Sequence, residues 1–233
     1  MIKGDEESAH QIRDILCSLK EYIYYMMSSG VHEIYSGSID SYEHEVLGRL
    51  EDIRRKMRHC TRCKLSQHRT NIVFGEGNPC AKVLFVGEGP GYEEDQTGRP
   101  FVGNAGKKLT EIIERGMQMS RDEVYICNIV KCRPPNNRDP QEDEIRACIP
   151  FLEEQIDTIK PEVIITLGLQ AAQAIVGIRQ PISQARGKWY KYRGIPVMPT
   201  YHPSFVLRSY TTAVRRQVWD DVREALRAAK EGR

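Results

Sequence analysis

Four cysteines in this chain are spaced so that a single bound group would join three distant segments. Cys60 and Cys63 form a C-x2-C pair, and Cys132 and Cys148 follow singly after gaps of 68 and 15 residues. Thiolates in such an arrangement bind zinc or an iron-sulfur cluster. The spacing therefore predicts one inorganic centre held by all four cysteines, and taken alone it fits either kind of centre.

The other three cysteines, Cys17, Cys80 and Cys127, lie within or beside apolar stretches, where cysteine packs as a small buried residue. A disulfide framework is the alternative use of the four spaced cysteines. However, residues 1–20 carry four acidic side chains where a secretory signal would need an apolar core. We therefore expect a cytoplasmic protein with reduced thiols, which favours the metal centre.

Length and charge indicate the class of protein. The 233 residues suffice for one substantial core, and no apolar run approaches the roughly 20 residues of a membrane span, so we expect a soluble protein. Residues 1–52 carry 4 Lys and Arg against 11 Asp and Glu (a net −7), and the remainder carries 30 against 21 (a net +9). The basic part favours binding to a polyanion, although surface lysine and arginine are often merely solvated.

Residues 1–52 are expected to form an acidic helical extension that precedes the main domain at 53–233. Apolar residues recur at helical spacing over 8–27, and 30–40 is punctuated by glycine and serine as in a linker. A second helical pattern covers 46–57. The extension is a candidate site for a protein partner, and the chain is otherwise expected to be a monomer.

Beyond residue 58, short apolar strands alternate with helical patterns. The predicted strands are 82–87, 124–131, 163–168 and 195–200. The predicted helices are 105–117, 140–159 with Asp139 as N-cap, 169–176, and a last helix that includes Val214 and Leu226. This order predicts an α/β fold, a three-layer α/β/α sandwich with a mostly parallel four-stranded central sheet. In such sheets ligands bind at the carboxyl ends of the strands.

Polar and glycine-rich motifs follow the predicted strands at those ends. The first strand leads into Gly87-Glu-Gly-Pro-Gly91, where glycine lets backbone approach a ligand closely. The chain has neither a Walker motif nor G-x-G-x-x-G, and nearby acids would repel phosphate, so a P-loop is not expected. The second strand leads through Asn128 to Pro135, and the last into His202-Pro-Ser204.

Five motifs occur in one order between residues 58 and 208: Gly87-Glu-Gly-Pro-Gly91, Gly98-Arg-Pro-Phe-Val-Gly103, Asn128 four residues before Cys132, Cys132-Arg-Pro-Pro135, and His202-Pro-Ser204. Together with the cysteine spacing they resemble the family four uracil-DNA glycosylases. The resemblance implies a monofunctional DNA repair hydrolase that flips uracil out of DNA and leaves an abasic site. It also implies a 4Fe-4S cluster as cofactor, with Cys60, Cys63, Cys132 and Cys148 as its ligands.

An enzyme that excises a base must take the nucleotide out of the stack and read its Watson-Crick edge in a pocket. The resemblance implies that Phe101 stacks on uracil in a substrate pocket that includes Gly89. It further implies that the Asn128 amide accepts from N3–H and donates to O4, because cytosine presents the opposite pattern.

Cleavage of the glycosidic bond places negative charge on the departing uracil, so a donor near O2 would stabilise the transition state. By analogy with the superfamily, His202 is expected to donate there as a neutral imidazole. Glu88 is the first candidate for positioning the water, followed by Glu94 and Asn137. Gly89 occupies the position at which family one enzymes carry a catalytic aspartate, which shifts more of the catalysis to electrostatic stabilisation.

The segment after His202 resembles the intercalation loop of the superfamily. The resemblance implies DNA contacts by Ser204, Phe205, Leu207 and Arg208, with Phe205 or Leu207 filling the gap left by the flipped nucleotide. The alternative for both apolar residues is a place in the core. Further candidates for backbone contact are loop cations: Lys64, Arg69, Arg133, Arg138, Arg186 and Lys188.

Two other functions compete with excision. One is a non-catalytic iron-sulfur or zinc DNA-binding subunit associated with replication or repair proteins, which would bind DNA without releasing a base. The other is covalent trapping of uracil-DNA through a histidine in an extra basic loop, but segment 183–190 contains no histidine. Since the excision chemistry requires no electron, the cluster is expected to be a structural clip.

Overall fold

The structure is a computed structural model, and it describes residues 41–209 and 211–231. The helix predicted at 8–27 and the linker at 30–40 lie outside the described residues. The division at residue 52 stays a prediction, and helix α1 (Ser41–Met57) runs through that position. No helix in the described ranges combines the length and the apolar character that crossing a bilayer requires.

The remaining elements follow in chain order. The helices are α2 (Tyr92–Thr97), α3 (Asn104–Glu111, continued by a π-helical turn at Ile112–Met117), α4 (Glu142–Ile159), α5 (Leu169–Val176), α6 (Ile182–Ala185), α7 (Pro203–Arg208) and α8 (Thr212–Glu231). The strands are β1 (Glu76–Gly77), β2 (Val83–Gly87), β3 (Tyr125–Asn128), β4 (Val163–Leu167), β5 (Tyr190–Tyr192) and β6 (Ile195–Thr200).

The described strands form one six-stranded sheet in the order β1-β3-β2-β4-β6-β5. The four predicted strands are confirmed, and they pair in parallel as β3-β2-β4-β6. Two antiparallel edge strands, β1 and β5, extend the predicted sheet. They were missed because they contain only two and three residues and are partly exposed, so neither has an apolar run.

Alternate residues of the central strands face two separate helical layers. Leu84 and Val86 of β2 pack in one core cluster with side chains of α1, α4 and α5, whereas Val83 and Phe85 pack in a second cluster with α3 and α8. A strand covered on both faces needs apolar residues at every position, and all five residues of β2 are buried. The three-layer α/β/α prediction is confirmed.

The start of α4 differs from the prediction. The helix begins at Glu142 with Gln141 as N-cap, so the assignment of Asp139 as N-cap is wrong. The Glu144 carboxylate accepts a hydrogen bond from the Gln141 backbone N–H at 2.7 Å and pairs with Arg138. These bonds hold the preceding segment in an extended conformation, and they leave the Asp139 side chain to accept from the Gln170 amide at 2.9 Å.

A buried ion pair attaches α8 to the sheet. Asp221 of α8 is 2% exposed and accepts hydrogen bonds from Arg186 Nε at 2.8 Å and from the Thr200 hydroxyl at 2.6 Å. Arg186 also donates to the Gln217 carbonyl. Arg186, a candidate DNA contact in the sequence, is therefore turned inward and bonded to α8.

We expect Asp221→Ala to lower the free energy of unfolding by about 3 kcal/mol, because it removes the carboxylate that neutralises the largely buried Arg186 and leaves the fully buried Thr200 hydroxyl without its acceptor. Urea unfolding of both proteins measures the difference. The exposed neighbouring carboxylate offers a matched control, and Asp220→Ala should change stability by no more than about 0.5 kcal/mol. Similar losses in the two variants would contradict a stabilising role for this pair.

Candidate active site

A cavity of about 570 Å³ opens at the carboxyl ends of the parallel strands. Its walls come from the segments that follow β2, β3, β4 and β6. Among the lining residues are Glu88, Gly89, Gly91, Glu94, Phe101, Asn128, Asn137, Asp139, Gly168, Gln170, His202, Ser204 and Arg208. The structure thus brings the five predicted base-pocket residues, Glu88, Gly89, Phe101, Asn128 and His202, to one cavity.

Phe101 lies in a position that only small neighbours permit. It is a buried residue with a left-handed φ of 52°, which costs energy for a bulky side chain. A Cβ on Gly87 would lie 2.4 Å from its ring, and a Cβ on Gly106 would lie 1.9 Å from its carbonyl oxygen. The two glycines therefore allow the ring and the backbone of Phe101 to occupy this side of the cavity.

Glu94 holds the loop that carries Phe101. Its carboxylate accepts hydrogen bonds from the backbone N–H groups of Val102 at 2.9 Å, Gly103 at 3.0 Å and Gly91 at 3.1 Å. Three donors on one carboxylate use most of its accepting capacity. Glu94 therefore fixes the shape of the loop, a role that its position in the sequence did not indicate.

Asn128 presents an unpartnered acceptor. It is the last residue of β3 and is 1% exposed, and its Oδ1 has no hydrogen-bond partner in the described structure. A buried polar atom without a partner costs about 1–3 kcal/mol, so such atoms in folded proteins call for a functional explanation. The Thr166 hydroxyl is also buried without a hydrogen-bond partner, but of these two residues only Asn128 lines the cavity.

The tautomer of His202 follows from its neighbours. The backbone N–H of Ser204 donates to Nδ1 at 3.1 Å, and the Ser204 hydroxyl lies 2.7 Å from the same nitrogen. Burial, followed by the charge of Arg208, lowers the pKa of the imidazole to about 4. The ring is therefore neutral near pH 7, and since Nδ1 accepts, its proton lies on Nε2. The ring centroid is 5.9 Å from that of Phe101.

Glu88 is paired with a second carboxyl group. Burial raises its pKa to about 7, and the charge of Asp139 and a hydrogen bond between the two carboxyl groups add to the effect. Asp139 is itself held by the Gln170 amide at 2.9 Å. Sequence reasoning missed Asp139 and Gln170 as members of the site, because they lie 51 and 82 residues beyond Glu88 and no local motif links them.

Asn137 also lines the cavity, and its side chain is hydrogen-bonded within the protein. Asn137, with a φ of 53°, accepts a hydrogen bond from Arg133 Nε at 2.7 Å. The Arg133 guanidinium also lies 5.0 Å from the ring of Tyr92. Asn137 Oδ1, like the Glu94 carboxylate, is thus already engaged with the protein.

The predicted intercalation segment forms α7. Phe205 stacks on Tyr201 with ring centroids 4.8 Å apart and packs against the second core cluster. Leu207 is 40% exposed, and Arg208 is exposed while lining the cavity. The two apolar candidates therefore differ: Phe205 is held by the core, and Leu207 points to solvent.

All four spaced cysteines line a second, small cavity next to Met57 and Phe151. Two nitrogens point at their sulfurs: Arg69 Nη1 lies 3.3 Å from Cys132 Sγ, and the Lys131 backbone N–H lies 3.3 Å from Cys148 Sγ. Charge-assisted and amide donors of this kind suit thiolate ligands. Within the described residues, no three His, Cys, Asp or Glu side chains form a group that could hold a single metal ion.

Comparison with known proteins identifies the family. The uracil DNA glycosylase superfamily profile matches residues 74–223. A type-4 uracil-DNA glycosylase of Sulfurisphaera tokodaii is 49% identical over 75% of this chain and 82% of its own length. Its counterpart from Thermotoga maritima is 48% identical over 76% of this chain and 92% of its own length. This chain belongs to the type-4 uracil-DNA glycosylase family.

The family membership agrees with the resemblance carried by the motifs between residues 58 and 208. A type-5 uracil-DNA glycosylase of Pyrobaculum aerophilum is more distant, at 28% identity over 69% of this chain and 85% of its own length. In this chain, the residues that line the large cavity include members of each glycine-rich or polar motif that the sequence singles out.

We expect Gly106→Ala to slow uracil excision by about 100-fold, because its Cβ would displace the backbone of Phe101 and misplacements of this size have effects of that order. Single-turnover excision assays on folded protein, with folding checked by circular dichroism, measure the effect. Gly48→Ala is the control, because a Cβ there meets nothing within 4 Å. Equal rates for the two variants would contradict the requirement for this Phe101 position.

Proposed function

We propose that this protein is a monofunctional glycosylase that flips uracil out of DNA, hydrolyses its N-glycosidic bond and leaves an abasic site. The observation that carries the proposal is the buried, unpartnered Oδ1 of Asn128 in the cavity at the strand ends. Uracil supplies a donor for this atom at N3–H, whereas cytosine has an acceptor at N3. Family membership supports the same activity.

In this proposal Asn128 reads the base. Oδ1 accepts from N3–H and the amide NH₂ donates to O4, while Phe101 stacks on the ring. The absence of side chains at Gly87 and Gly89 lets the base approach the backbone of the first loop. Because the Asn128 amide is buried, an unmatched base leaves a polar atom unpaired, which makes the discrimination strong.

His202 stabilises the leaving group in this proposal. As the glycosidic bond breaks, negative charge develops on uracil, and the Nε2–H of the neutral imidazole donates to O2. The bonds from Ser204 to Nδ1 hold the ring in the required tautomer and orientation. Ser204 is thereby assigned a positioning role in addition to its predicted contact with DNA.

Glu88 positions the attacking water, and its carboxylate also opposes the positive charge that develops on the sugar. The other two candidates are less suitable, because the Glu94 carboxylate accepts from three backbone N–H groups and Asn137 accepts from Arg133. Asp139 shares a hydrogen bond with Glu88, and the Gln170 amide holds Asp139 in turn.

For the DNA contact, Leu207 is the better intercalating residue of the two candidates, since Phe205 packs on Tyr201. Arg208 is proposed to bind a phosphate beside the flipped nucleotide. Such contacts predict binding that weakens with salt. We further propose that the protein acts as a cytoplasmic monomer and that the acidic extension 1–52 binds a protein partner.

The cofactor in this proposal is a 4Fe-4S cluster bound by Cys60, Cys63, Cys132 and Cys148. The shared cavity of these cysteines and the donors aimed at their sulfurs support it. The cluster would supply a structural link between the segment after α1, the segment after β3, and α4. None of the steps proposed for excision uses it.

An oligonucleotide with one uracil, treated with alkali after incubation, tests the activity. We expect strand breakage by the wild type and a loss of at least about 100-fold in Asn128→Ala, since the lost contacts are worth several kcal/mol in a dry site. Thr166→Val is the control, because it removes the other unpartnered buried atom outside the cavity. DNA binding without breakage by the wild type would favour the non-catalytic subunit.

The raised pKa of Glu88 predicts the pH dependence of excision. Only the carboxylate form positions water, so the rate should rise with pH through about 7, while His202 with a pKa of about 4 stays neutral over this range. Asp139→Asn removes the neighbouring negative charge, so the pKa of Glu88 should fall. The rise of the excision rate with pH (the acid limb of the pH profile) should then occur at lower pH than in the wild type. Asp143→Asn is the control, and an unmoved acid limb in the Asp139 variant would contradict the coupling.

A further inference from the structure

Lys131 is a fully buried lysine, with 0% of its surface exposed. Its Nζ donates to Gln155 Oε1 at 2.6 Å, and the Gln155 amide in turn donates to the Phe74 carbonyl at 3.1 Å. The bonded oxygen thus belongs to a neutral amide. Lys131 also forms a hydrogen bond with Cys127, but burial raises the pKa of that thiol, so it stays neutral and the charge in this group is that of the ammonium.

No carboxylate neutralises Lys131 within residues 41–209 and 211–231. The lysines that form ion pairs there are Lys56, Lys64, Lys82 and Lys108. Removing an ammonium group from water costs several kcal/mol, and a hydrogen bond to a neutral amide does not recover that cost. A lysine in this environment calls for an anion close by.

The groups around Lys131 indicate which anion that is. Lys131 lines the same small cavity as the four spaced cysteines, and its backbone N–H donates to Cys148 Sγ. Arg69, whose Nη1 lies 3.3 Å from Cys132 Sγ, brings a second cation to this cavity. Arg62 also lines the cavity, but it is exposed and its guanidinium lies 4.3 Å from the centre of the Phe151 ring. Lys131 is the fully buried cation of the three, and the charge of its ammonium group acts on the Cys148 thiol. The groups in this lining that can oppose it are the cysteine thiolates.

The net charge of a cysteine-bound 4Fe-4S cluster is opposite in sign to the charges of these cations. A 4Fe-4S core with a formal charge of about +2, held by four thiolates, carries a net charge of about −2. Lys131 and Arg69 are the two cations of this lining that are at least partly buried, whereas the charge of the exposed Arg62 is screened by solvent. Hydrogen bonds and charges around bound thiolates control both the retention of a metal group and its reduction potential.

We propose that Lys131 is the buried counter-charge of the cysteine-bound cluster, with Arg69 as the second cation. The inference rests on the iron-sulfur cluster proposed above, and it adds that the cluster and Lys131 stabilise each other. The cluster needs Lys131 to offset its negative charge, and Lys131 needs the cluster, because without it the ammonium group is buried opposite no anion. Substitution of Lys131 therefore has opposite effects on the loaded and the cluster-free protein.

Lys131→Met, which keeps the length of the side chain and removes its charge, tests this dependence in the anaerobically purified protein. We expect a chelator to remove iron from the variant about 10–100-fold faster than from the wild type. We also expect a more negative reduction potential, because a nearby positive charge favours the added electron. After removal of the cluster, the variant should melt at a higher temperature than the wild type.

Lys82→Met is the matched control, because this lysine is 66% exposed in its side chain and pairs with Glu162. It should leave iron retention and potential unchanged. Arg69→Gln provides a second variant at a less buried position and should shift the potential in the same direction. If iron release and potential in both Lys131→Met and Arg69→Gln equal those of the wild type, the inference is wrong.

A failure of the cluster proposal gives a different result. Wild-type protein purified under anaerobic conditions would then contain neither iron nor sulfide, whatever residue occupies position 131. That outcome overturns the counter-charge inference together with the cofactor, but it leaves uracil excision untouched, because excision is measured separately on uracil-containing DNA.

Discussion

The parallel pairing of β3 with β2 is the interaction on which the large cavity depends. Its register places Asn128 opposite Gly87, and a Cβ on Gly87 would lie 2.4 Å from both Asn128 Oδ1 and the Phe101 ring. A buried amide and an aromatic ring therefore meet at one position that only glycine can occupy. The parallel pairing of β4 with β6 brings His202 to the same edge of the sheet.

The segment after β3 connects this cavity to the cysteines. Cys132, proposed to bind the cluster, lies four positions after Asn128, proposed to read the base, and Lys131 lies directly before that cysteine. Val73 N–H donates to the Lys131 carbonyl at 2.8 Å, which adds the segment preceding β1 to the same assembly. The proposed cluster would thus hold the end of the strand that carries Asn128, although no atom of it takes part in the chemistry.

The sequence predicted most of what depends on local pattern. Buried parallel strands have continuous apolar runs, so β2 and β4 were predicted closely. The cysteine spacing grouped four residues that line one cavity, and their role as cluster ligands stays a prediction. Features set by tertiary contacts could not be predicted. The pairing of Asp139 with Glu88 joins loops that are distant in the sequence. The burial of Lys131 could not be predicted because Lys131 and Arg133 flank Cys132 in a segment that has the composition of a basic surface loop.

A crystal structure of the protein bound to uracil tests the central claim most directly. The account predicts a ring that is stacked on Phe101, with N3 within about 3 Å of Asn128 Oδ1 and O2 within about 3 Å of His202 Nε2. Uracil bound outside the cavity, or bound within it while Asn128 Oδ1 keeps no donor, would contradict the account.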